Sequence, residues 1–130
     1  MLVYVLDDDA AIRRAMTRLL QSAGLQVQTF QNTAEFLSSK IVNNNSCAIV
    51  DIRMPGMNGL QLQQALDQSG VRIPIIFVTA HDTEETRLAA VQGGASAYFR
   101  KPVDDLALLD AIHWAVRKQK SSAGGDTSQN

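Results

Sequence analysis

The sequence predicts an α/β fold in which a doubly wound, parallel five-stranded sheet is covered by five helices. Short apolar segments of strand length alternate along the chain with segments whose apolar residues recur at helical spacing. Several of the strand segments are continuously apolar, which is typical of strands buried on both faces of a parallel sheet. Crossovers in such a sheet are almost always right-handed, but the segments alone do not determine the strand order.

The five predicted strands differ in pattern. The first and third are continuously apolar, whereas the second alternates, which favours a place near the sheet edge with one solvated face. Pro74 lacks an amide donor and belongs at the start of the fourth strand, and Lys101 with Pro102 ends the fifth. The predicted strands comprise residues 2–6, 25–30, 47–50, 73–79 and 95–100.

Each predicted helix begins near a residue that can cap it. Asp9 or Ala10 begins the first helix, and Gly24 ends it as a left-handed cap. Asn58 can cap the third helix after a turn that contains a proline and glycines. The fifth helix opens with two acids and ends with bases, as the helix dipole favours. The predicted helices span about residues 10–23, 33–39, 60–67, 83–92 and 105–120.

The composition is that of one globular domain. The 130 residues include 45% apolar and 19% charged residues, and the net charge is -1. The absence of a basic cluster argues against nucleic-acid binding by this domain itself, and no stretch is apolar over the length of a membrane span. A single cysteine, Cys47, allows no internal disulfide, and the acids at residues 7–9 argue against a secretory signal. We therefore expect a cytoplasmic domain that does not contact the membrane.

Polar residues follow four of the predicted strands. They are Asp7 and Asp8, Asp51, Thr79 and Lys101. Because the carboxyl ends of parallel strands meet at one rim, we expect these residues to lie together. Three carboxylates and a backbone carbonyl form a hard oxygen site for Mg²⁺ or Mn²⁺. One carboxylate can attack a phosphoryl group, while the lysine and the metal offset its charge and the threonine hydroxyl donates to it.

Four segments together, in their order and spacing, resemble a receiver domain of a two-component response regulator. The segments are residues 5–9 (VLDDD), 51–59 (DIRMPGMNG), 78–80 (VTA) and 101–102 (KP). The resemblance covers about residues 1–120. It implies a flavodoxin-like sheet with strand order 2-1-3-4-5. It also implies a sensor histidine kinase as partner and Mg²⁺ as cofactor, for which Mn²⁺ can substitute. The chain would be a phosphoacceptor module rather than an enzyme.

The resemblance assigns roles by position. Asp51 would accept the phosphoryl group and become 4-aspartylphosphate, and it would also bind the metal. Asp8 would bind the metal directly, Asp7 would act through a bound water, and the backbone carbonyl of Arg53 would complete the ligands. Lys101 would pair with Asp51 or with its phosphate.

The resemblance also implies a switch and a dimer surface. Thr79 would bind the phosphoryl group and move on activation, and Tyr98 would be a rotating aromatic switch, although a tyrosine in a sheet is often only a packing residue. Dimerisation would use the face around the fourth helix and fifth strand. The candidate residues there are Arg87, Leu88, Val91, Tyr98 and Arg100.

Two positions beside the site suggest slow loss of the phosphate. Arg53 and His81 lie where members of this family differ most in dephosphorylation rate, and neither is an acid or amide suited to orienting water. We otherwise expect His81 to be a loop residue, His113 a surface residue and Cys47 a small core residue.

The sequence is compatible with two ways in which such a domain could act on its target. Residues 121–130 are rich in serine and glycine, which predicts a flexible linker or tail to an absent effector domain. The motifs look most like DNA-binding regulators, including those with a C-terminal helix-turn-helix. A stand-alone receiver acting through protein contacts is the alternative.

Two other classes fit the sequence less well. A haloacid-dehalogenase-type phosphatase also uses an aspartate at a strand end, but it needs a second acid where this chain has Arg53, and the chain lacks room for a cap domain. A nucleotide-binding protein would need a glycine-rich G-x-G-x-x-G turn after the first strand, where three acids stand instead.

Overall fold

The computed structural model describes the backbone of residues 1–128 and the side chains of residues 1–120. Five strands form one parallel sheet with the order β2-β1-β3-β4-β5. The strands are β1 (Leu2–Leu6), β2 (Gln26–Phe30), β3 (Ser46–Asp51), β4 (Ile75–Thr79) and β5 (Ala97–Arg100). The helices are α1 (Ala10–Ser22), α2 (Thr33–Ser38), α3 (Gly59–Gln68), α4 (Glu84–Gln92) and α5 (Asp105–Ser128). The predicted fold class and the implied strand order are confirmed.

The sheet separates two apolar clusters, one on each face. Tyr4 and Val50 point into the first cluster with Phe36 of α2, while the alternate residues of β1 and β3 point into the second with Ile112 of α5. Every residue of β3 and β4 is buried, whereas β2 is partly exposed along its length. Burial on both faces explains the continuous apolar runs, and the edge position of β2 explains its alternation.

The predicted helix starts are confirmed at two helices that border the strand ends. The Asp9 carboxylate accepts hydrogen bonds from the backbone amides of Ala11 (2.8 Å) and Ile12 (3.4 Å) at the start of α1. Asn58 and Gln61 form a capping box at α3, in which each side chain accepts from the backbone amide of the other at 2.9 Å. These caps fix where each helix leaves the loop that precedes it.

Two strands begin two residues later than the sequence predicts, and β2 begins one residue later, at Gln26. β4 begins at Ile75 rather than at residue 73, since Pro74 has no amide hydrogen, although its carbonyl accepts from the Ala48 amide (2.9 Å). β5 begins at Ala97 rather than at residue 95, because the Ala95 amide donates to Ala90 of α4 (3.0 Å). In both places the chain closes a preceding loop or helix before it joins the sheet.

The last helix is longer than predicted. The sequence predicts an end near Lys118 to Lys120, whereas the backbone continues as helix to Ser128. No proline interrupts residues 121–128, so nothing in their covalent structure forbids helix there. The part of the linker prediction that concerns residues 129 and 130 lies outside the described residues. None of the helices described here is both long and apolar enough to cross a membrane.

Candidate functional site

Three acids meet where the strands of the sheet end. We define the carboxyl-end rim by these acids and two further residues: Asp7, Asp8, Asp51, Thr79 and Lys101. Asp51 is the last residue of β3, and Asp7 follows β1 on the neighbouring strand, where Leu6 is paired with Val50. The exposed fractions of Asp7 and Asp51 are only 2% and 6%, whereas Asp8 is exposed. One carboxylate oxygen from each of the three acids lies within 4.8 Å of the others. The pairing of β1 with β3 therefore creates the predicted cluster.

Lys101 bridges the two buried acids. Its Nζ donates hydrogen bonds to Asp7 Oδ2 (2.9 Å) and to Asp51 Oδ2 (3.2 Å), and its side chain is 18% exposed. The backbone amide of Lys101 donates to the carbonyl of Thr79 (2.8 Å), so the residue still follows the sheet register just beyond β5. The rim thus holds one ammonium group against two buried carboxylates and one exposed carboxylate.

The surroundings at the rim shift the pKa values of both Asp51 and Lys101. Burial raises the pKa of Asp51, the charge of Lys101 opposes that rise, and the charge of Asp7 adds to it. Burial alone would lower the pKa of Lys101, but the hydrogen bond and charge of Asp7, followed by those of Asp51, raise it overall. The Lys101 ammonium group is therefore stabilised in its charged form. The ionised form of Asp51 is destabilised, and a further cation at the rim would reduce that destabilisation.

The loop after β3 is fixed by its backbone. Asp51 Oδ1 accepts from the Arg53 amide (3.2 Å), and the Gly59 amide donates to the Ile52 carbonyl (2.9 Å). A Cβ atom at Gly59 would lie 3.0 Å from the Ile52 Cα and from the Phe77 ring, so the close approach requires glycine. Gly56 has a φ of +75°, which also favours glycine. The loop thereby keeps Asp51 at the rim, with one carboxylate oxygen bonded to the loop backbone.

The donor set fits a hard divalent cation. Three carboxylates converge at the rim, and oxygen ligands of this kind suit Mg²⁺ or Mn²⁺. One oxygen of Asp7 accepts from the Asp9 amide (2.9 Å) and the other from Lys101, which leaves the exposed Asp8 better placed for direct coordination. The resemblance assigned direct coordination to Asp8 and a water-mediated role to Asp7, and these roles and that of the Arg53 carbonyl stay predictions.

The two predicted switch residues lie on neighbouring strands and have different surroundings. Thr79 ends β4 with no exposed area, and its Oγ1 accepts from the His81 amide (3.0 Å). Tyr98 lies on β5, partly buried, and its hydroxyl donates to Asp82 Oδ1 (3.0 Å). Thr79 therefore belongs to the rim, while Tyr98 contacts the loop between β4 and α4.

A cleft of about 790 Å³ opens beside the acids. Asp8, Arg53 and His81 line it, together with the start of α4 at Thr83 and Thr86. The side chains of Arg53 and His81 are both exposed, so neither is committed to the core. Through this cleft Asp8 is open to solvent on the side of these two residues.

Two contacts at or near the site were not predicted. Arg13 of α1 donates through Nη1 to the Asp7 carbonyl (2.7 Å), which fixes the backbone of that acid. Asp82, directly before the predicted fourth helix, binds Tyr98, while Thr83 caps the helix through its Oγ1. In the sequence, Arg13 is only one polar residue of the first helix. No pattern links Asp82 to Tyr98, sixteen positions later. Three predictions about exposure are confirmed: Cys47 is buried, and His81 and His113 are exposed.

Comparison with known proteins gives a consistent result. Residues 3–113 match the family described as response regulator receiver domain. The transcriptional regulatory protein TdiR of Thauera aromatica is 39% identical over 121 residues, which cover 93% of this chain and 53% of that protein. The chain spans about half the length of such curated relatives.

Solved structures agree with the sequence comparison. The response regulator StyR superposes with a TM-score of 0.89 at 36% identity, covering 98% of this chain and 65% of that one. A CheY-like receiver domain protein from Methanospirillum hungatei JF-1 superposes with a TM-score of 0.84 at 27% identity, covering 93% and 97% of the two chains. Both relatives carry the five-stranded fold described above.

Proposed function

This chain belongs to the response regulator receiver domain family, and on that premise we propose that Asp51 accepts a phosphoryl group from a sensor histidine kinase. The observation that carries the proposal is the arrangement of Asp51 at the rim, beside two further acids and bridged to Asp7 by Lys101. The cleft beside Asp8 offers a path by which a phosphodonor can reach this carboxylate.

The transfer needs little from the protein except position and charge. An Asp51 carboxylate oxygen attacks phosphorus, a new O–P bond forms, and the bond from phosphorus to the donor nitrogen breaks with its electron pair left on the imidazole. Lys101 Nζ lies 3.2 Å from Asp51 Oδ2 and can follow the charge as it moves onto the phosphoryl oxygens. Asp8, Asp51 and the backbone carbonyl of Arg53 would bind Mg²⁺ directly, and Asp7 would bind it through a water molecule. The bound ion would neutralise the remaining negative charge.

The response to phosphorylation would begin at Thr79. Its hydroxyl accepts from the His81 amide here, and rotation would let it donate to a phosphoryl oxygen instead. Tyr98 would move in concert, and dimers would form through the face of α4 and β5. On that face Leu88 and Val91 are 55% and 61% exposed, so two apolar residues there are accessible to a second copy.

The lifetime of the phosphate is expected to be long. Arg53 and His81 line the cleft beside Asp8, where a water molecule that attacks the aspartyl phosphate would have to be oriented. Neither side chain offers a carboxylate or amide oxygen for that task. We therefore propose that Asp51 phosphate is lost slowly unless a phosphatase intervenes.

The output proposed for the whole protein is control of transcription. TdiR carries that function in its name, and this chain covers about half of it. Phosphorylation would act on a DNA-binding segment outside the receiver domain, while this domain itself would bind no nucleic acid. Alternatively, the receiver would act alone through contacts with another protein.

Labelling with a small phosphodonor tests the proposal. Incubated with Mg²⁺ and acetyl phosphate, the protein should gain about one acid-stable, base-labile phosphate per chain, and the Asp51→Ala variant should gain none. Release of many phosphates per chain would indicate a phosphatase of the haloacid-dehalogenase type. Equal labelling of the variant, or no labelling of the wild type, would refute the assignment of Asp51.

A further inference from the structure

Asp82, in the loop between β4 and α4, holds two side chains at once. Its Oδ1 accepts from the Tyr98 hydroxyl at 3.0 Å, and its Oδ2 pairs with Arg87 Nη2 at 2.7 Å. The Arg87 Cζ also lies 5.9 Å from the centroid of the Tyr98 ring, within reach of a cation–π contact. The three side chains therefore close a triangle in which each touches the other two.

The triangle joins three elements that a switch would have to move apart. Tyr98 is on β5, Arg87 is in α4, and Asp82 belongs to the loop that connects α4 to Thr79. The Asp82 side chain is 15% exposed, so its two bonds are partly shielded from water. The triangle thus links the loop after Thr79 to the face proposed for dimerisation, to which Arg87 and Tyr98 belong.

The contacts are charge-assisted. The hydrogen bond from Arg87 keeps the pKa of Asp82 below its ordinary value, so the acceptor is a carboxylate at neutral pH. Burial and then the hydrogen bond to Asp82 raise the pKa of Tyr98, so its hydroxyl keeps its proton and donates. Hydrogen bonds to a charged acceptor are stronger than neutral ones.

A short path connects the triangle to the rim. The Thr79 hydroxyl oxygen accepts from the amide of His81, the residue directly before Asp82. If Thr79 turns towards a phosphoryl group, this bond is lost and the loop that carries Asp82 is released. Rotation of the Tyr98 ring away from the loop would in turn break its hydrogen bond to Asp82.

We propose that Asp82 is a positioning residue that holds Tyr98 and α4 in the unphosphorylated arrangement, an inference that rests on the proposed role of Tyr98 as a switch. Asp82 acts through Tyr98 and Arg87 and touches no reacting atom. Its loss removes contacts that stabilise the resting state, so the same phosphorylation signal should shift the switch more easily.

The two tyrosines of the chain, Tyr4 and Tyr98, make a direct test possible. With 3-fluorotyrosine incorporated, ¹⁹F NMR gives two resonances, and the Tyr98→Phe variant assigns them. The Tyr98 resonance is followed while Mg²⁺ and beryllofluoride, which mimics a phosphoryl group on a carboxylate, are titrated into the full chain. The resonance of Tyr4, a buried residue of β1, reports whether each variant is folded.

Three variants separate positioning from a structural role. Asp82→Ala removes both bonds, Asp82→Asn keeps an oxygen acceptor for Tyr98 but loses the charge, and Glu85→Ala removes an exposed acid from the first turn of α4. Since a partly exposed charged contact is worth a modest amount, we expect half-saturation of the Tyr98 shift at a beryllofluoride concentration about threefold to tenfold lower in Asp82→Ala. Asp82→Asn should lie between that variant and the wild type, and Glu85→Ala should match the wild type.

The outcomes distinguish this inference from the function on which it rests. A wild-type Tyr98 resonance that does not respond to beryllofluoride would overturn the switch and this inference with it. A wild-type response with an unchanged or higher half-saturation in Asp82→Ala would leave the switch standing and overturn the role of Asp82. A resonance displaced towards its saturated position in Asp82→Ala before any addition would support the role of Asp82.

Discussion

The two ends of the strands treat their polar groups in opposite ways. At the carboxyl-end rim, three carboxylates lie close together, one lysine bonds to two of them, and burial raises the pKa of Asp51. At the amino end of β3, the Gln119 side chain accepts from the Ser46 amide (3.2 Å) and donates to the Asn43 carbonyl (2.8 Å). The Val42 amide donates to the Tyr4 hydroxyl there (2.8 Å). One end carries unbalanced charge, and the other is neutral and hydrogen-bonded.

The difference separates what the fold needs from what the site needs. Neutral hydrogen bonds at the amino end fasten α5 and the loop before β3 to the sheet at little electrostatic cost. Acids crowded at the other end destabilise the folded state until a cation is present, and such crowding is typical of functional sites. Substitutions at four positions test this contrast. In decreasing order of the expected effect they are at Lys101, Arg53, Gln119 and Asp51.

Removal of Lys101 should have the largest effect. Lys101→Ala leaves the buried Asp7 and Asp51 without their shared cation, so the free energy of unfolding should fall by about 2–3 kcal/mol, less than a fully buried pair would lose because the lysine is partly exposed. The loss should shrink as the pH falls and Asp51, whose pKa is raised by burial, becomes protonated. Urea denaturation at pH 7 and pH 4.5 measures both, with the exposed Lys40→Ala as control. A loss that does not change with pH would contradict the electrostatic account.

Replacement of Arg53 tests whether the charged end lacks a group that orients water. Arg53→Asn supplies an amide oxygen in the cleft beside Asp8, so Asp51 phosphate should decay about tenfold faster, or about 1.4 kcal/mol lower in barrier. The decay is followed after the phosphodonor is removed. Arg72→Asn, an exposed arginine away from the cleft, is the control. Equal decay of wild type and Arg53→Asn would end the hypothesis of slow dephosphorylation.

Removal of Gln119 tests the neutral end. Gln119→Ala loses two hydrogen bonds to the loop before β3, so the free energy of unfolding should fall by about 1–2 kcal/mol. Because no charge is involved, the loss should be the same from about pH 5 to pH 8 and labelling of Asp51 should be unaffected. The exposed Gln64→Ala serves as control in the same denaturation series. A pH-dependent loss would show that the two ends are not independent.

Neutralisation of Asp51 should have the smallest effect and the opposite sign. A raised pKa means that folding favours the protonated carboxyl, so the ionised form at neutral pH lowers stability. Asp51→Asn should therefore raise the free energy of unfolding at pH 7, by up to about 1 kcal/mol, and the gain should vanish below the ordinary aspartate pKa of 3.8. The exposed Asp67→Asn is the matched control in thermal unfolding. Destabilisation by Asp51→Asn at pH 7 would contradict the account of crowded charge.

The sequence predicted most of the carboxyl-end rim, because each residue there follows a recognisable strand. Asp7, Asp51, Thr79 and Lys101 stand next to apolar segments, and parallel strands carry their carboxyl ends to one edge of the sheet. The strand order then decides which of these residues are neighbours, and it puts β1 beside β3. The order itself came only from the resemblance of the motifs, since apolar patterns are alike for all central strands.

Contacts between distant side chains could not be predicted. Gln119 meets Asn43 across 76 positions, and Asp82 meets Tyr98 across 16, and neither pair shares a local pattern. The end of α5 was placed too early since glycine and serine residues disfavour helix without forbidding it. Local chemistry thus predicts where elements begin more reliably than which side chains fasten them together.

The central claim is that Asp51, among the three acids of the rim, receives the phosphoryl group. Borohydride reduces an aspartyl phosphate to homoserine, and peptide mapping by mass spectrometry then locates the modified position in the protein treated with acetyl phosphate and Mg²⁺. Our account predicts homoserine at Asp51 and unmodified Asp7 and Asp8. Homoserine at Asp7 or Asp8, or no homoserine in a chain that has been labelled, would contradict it.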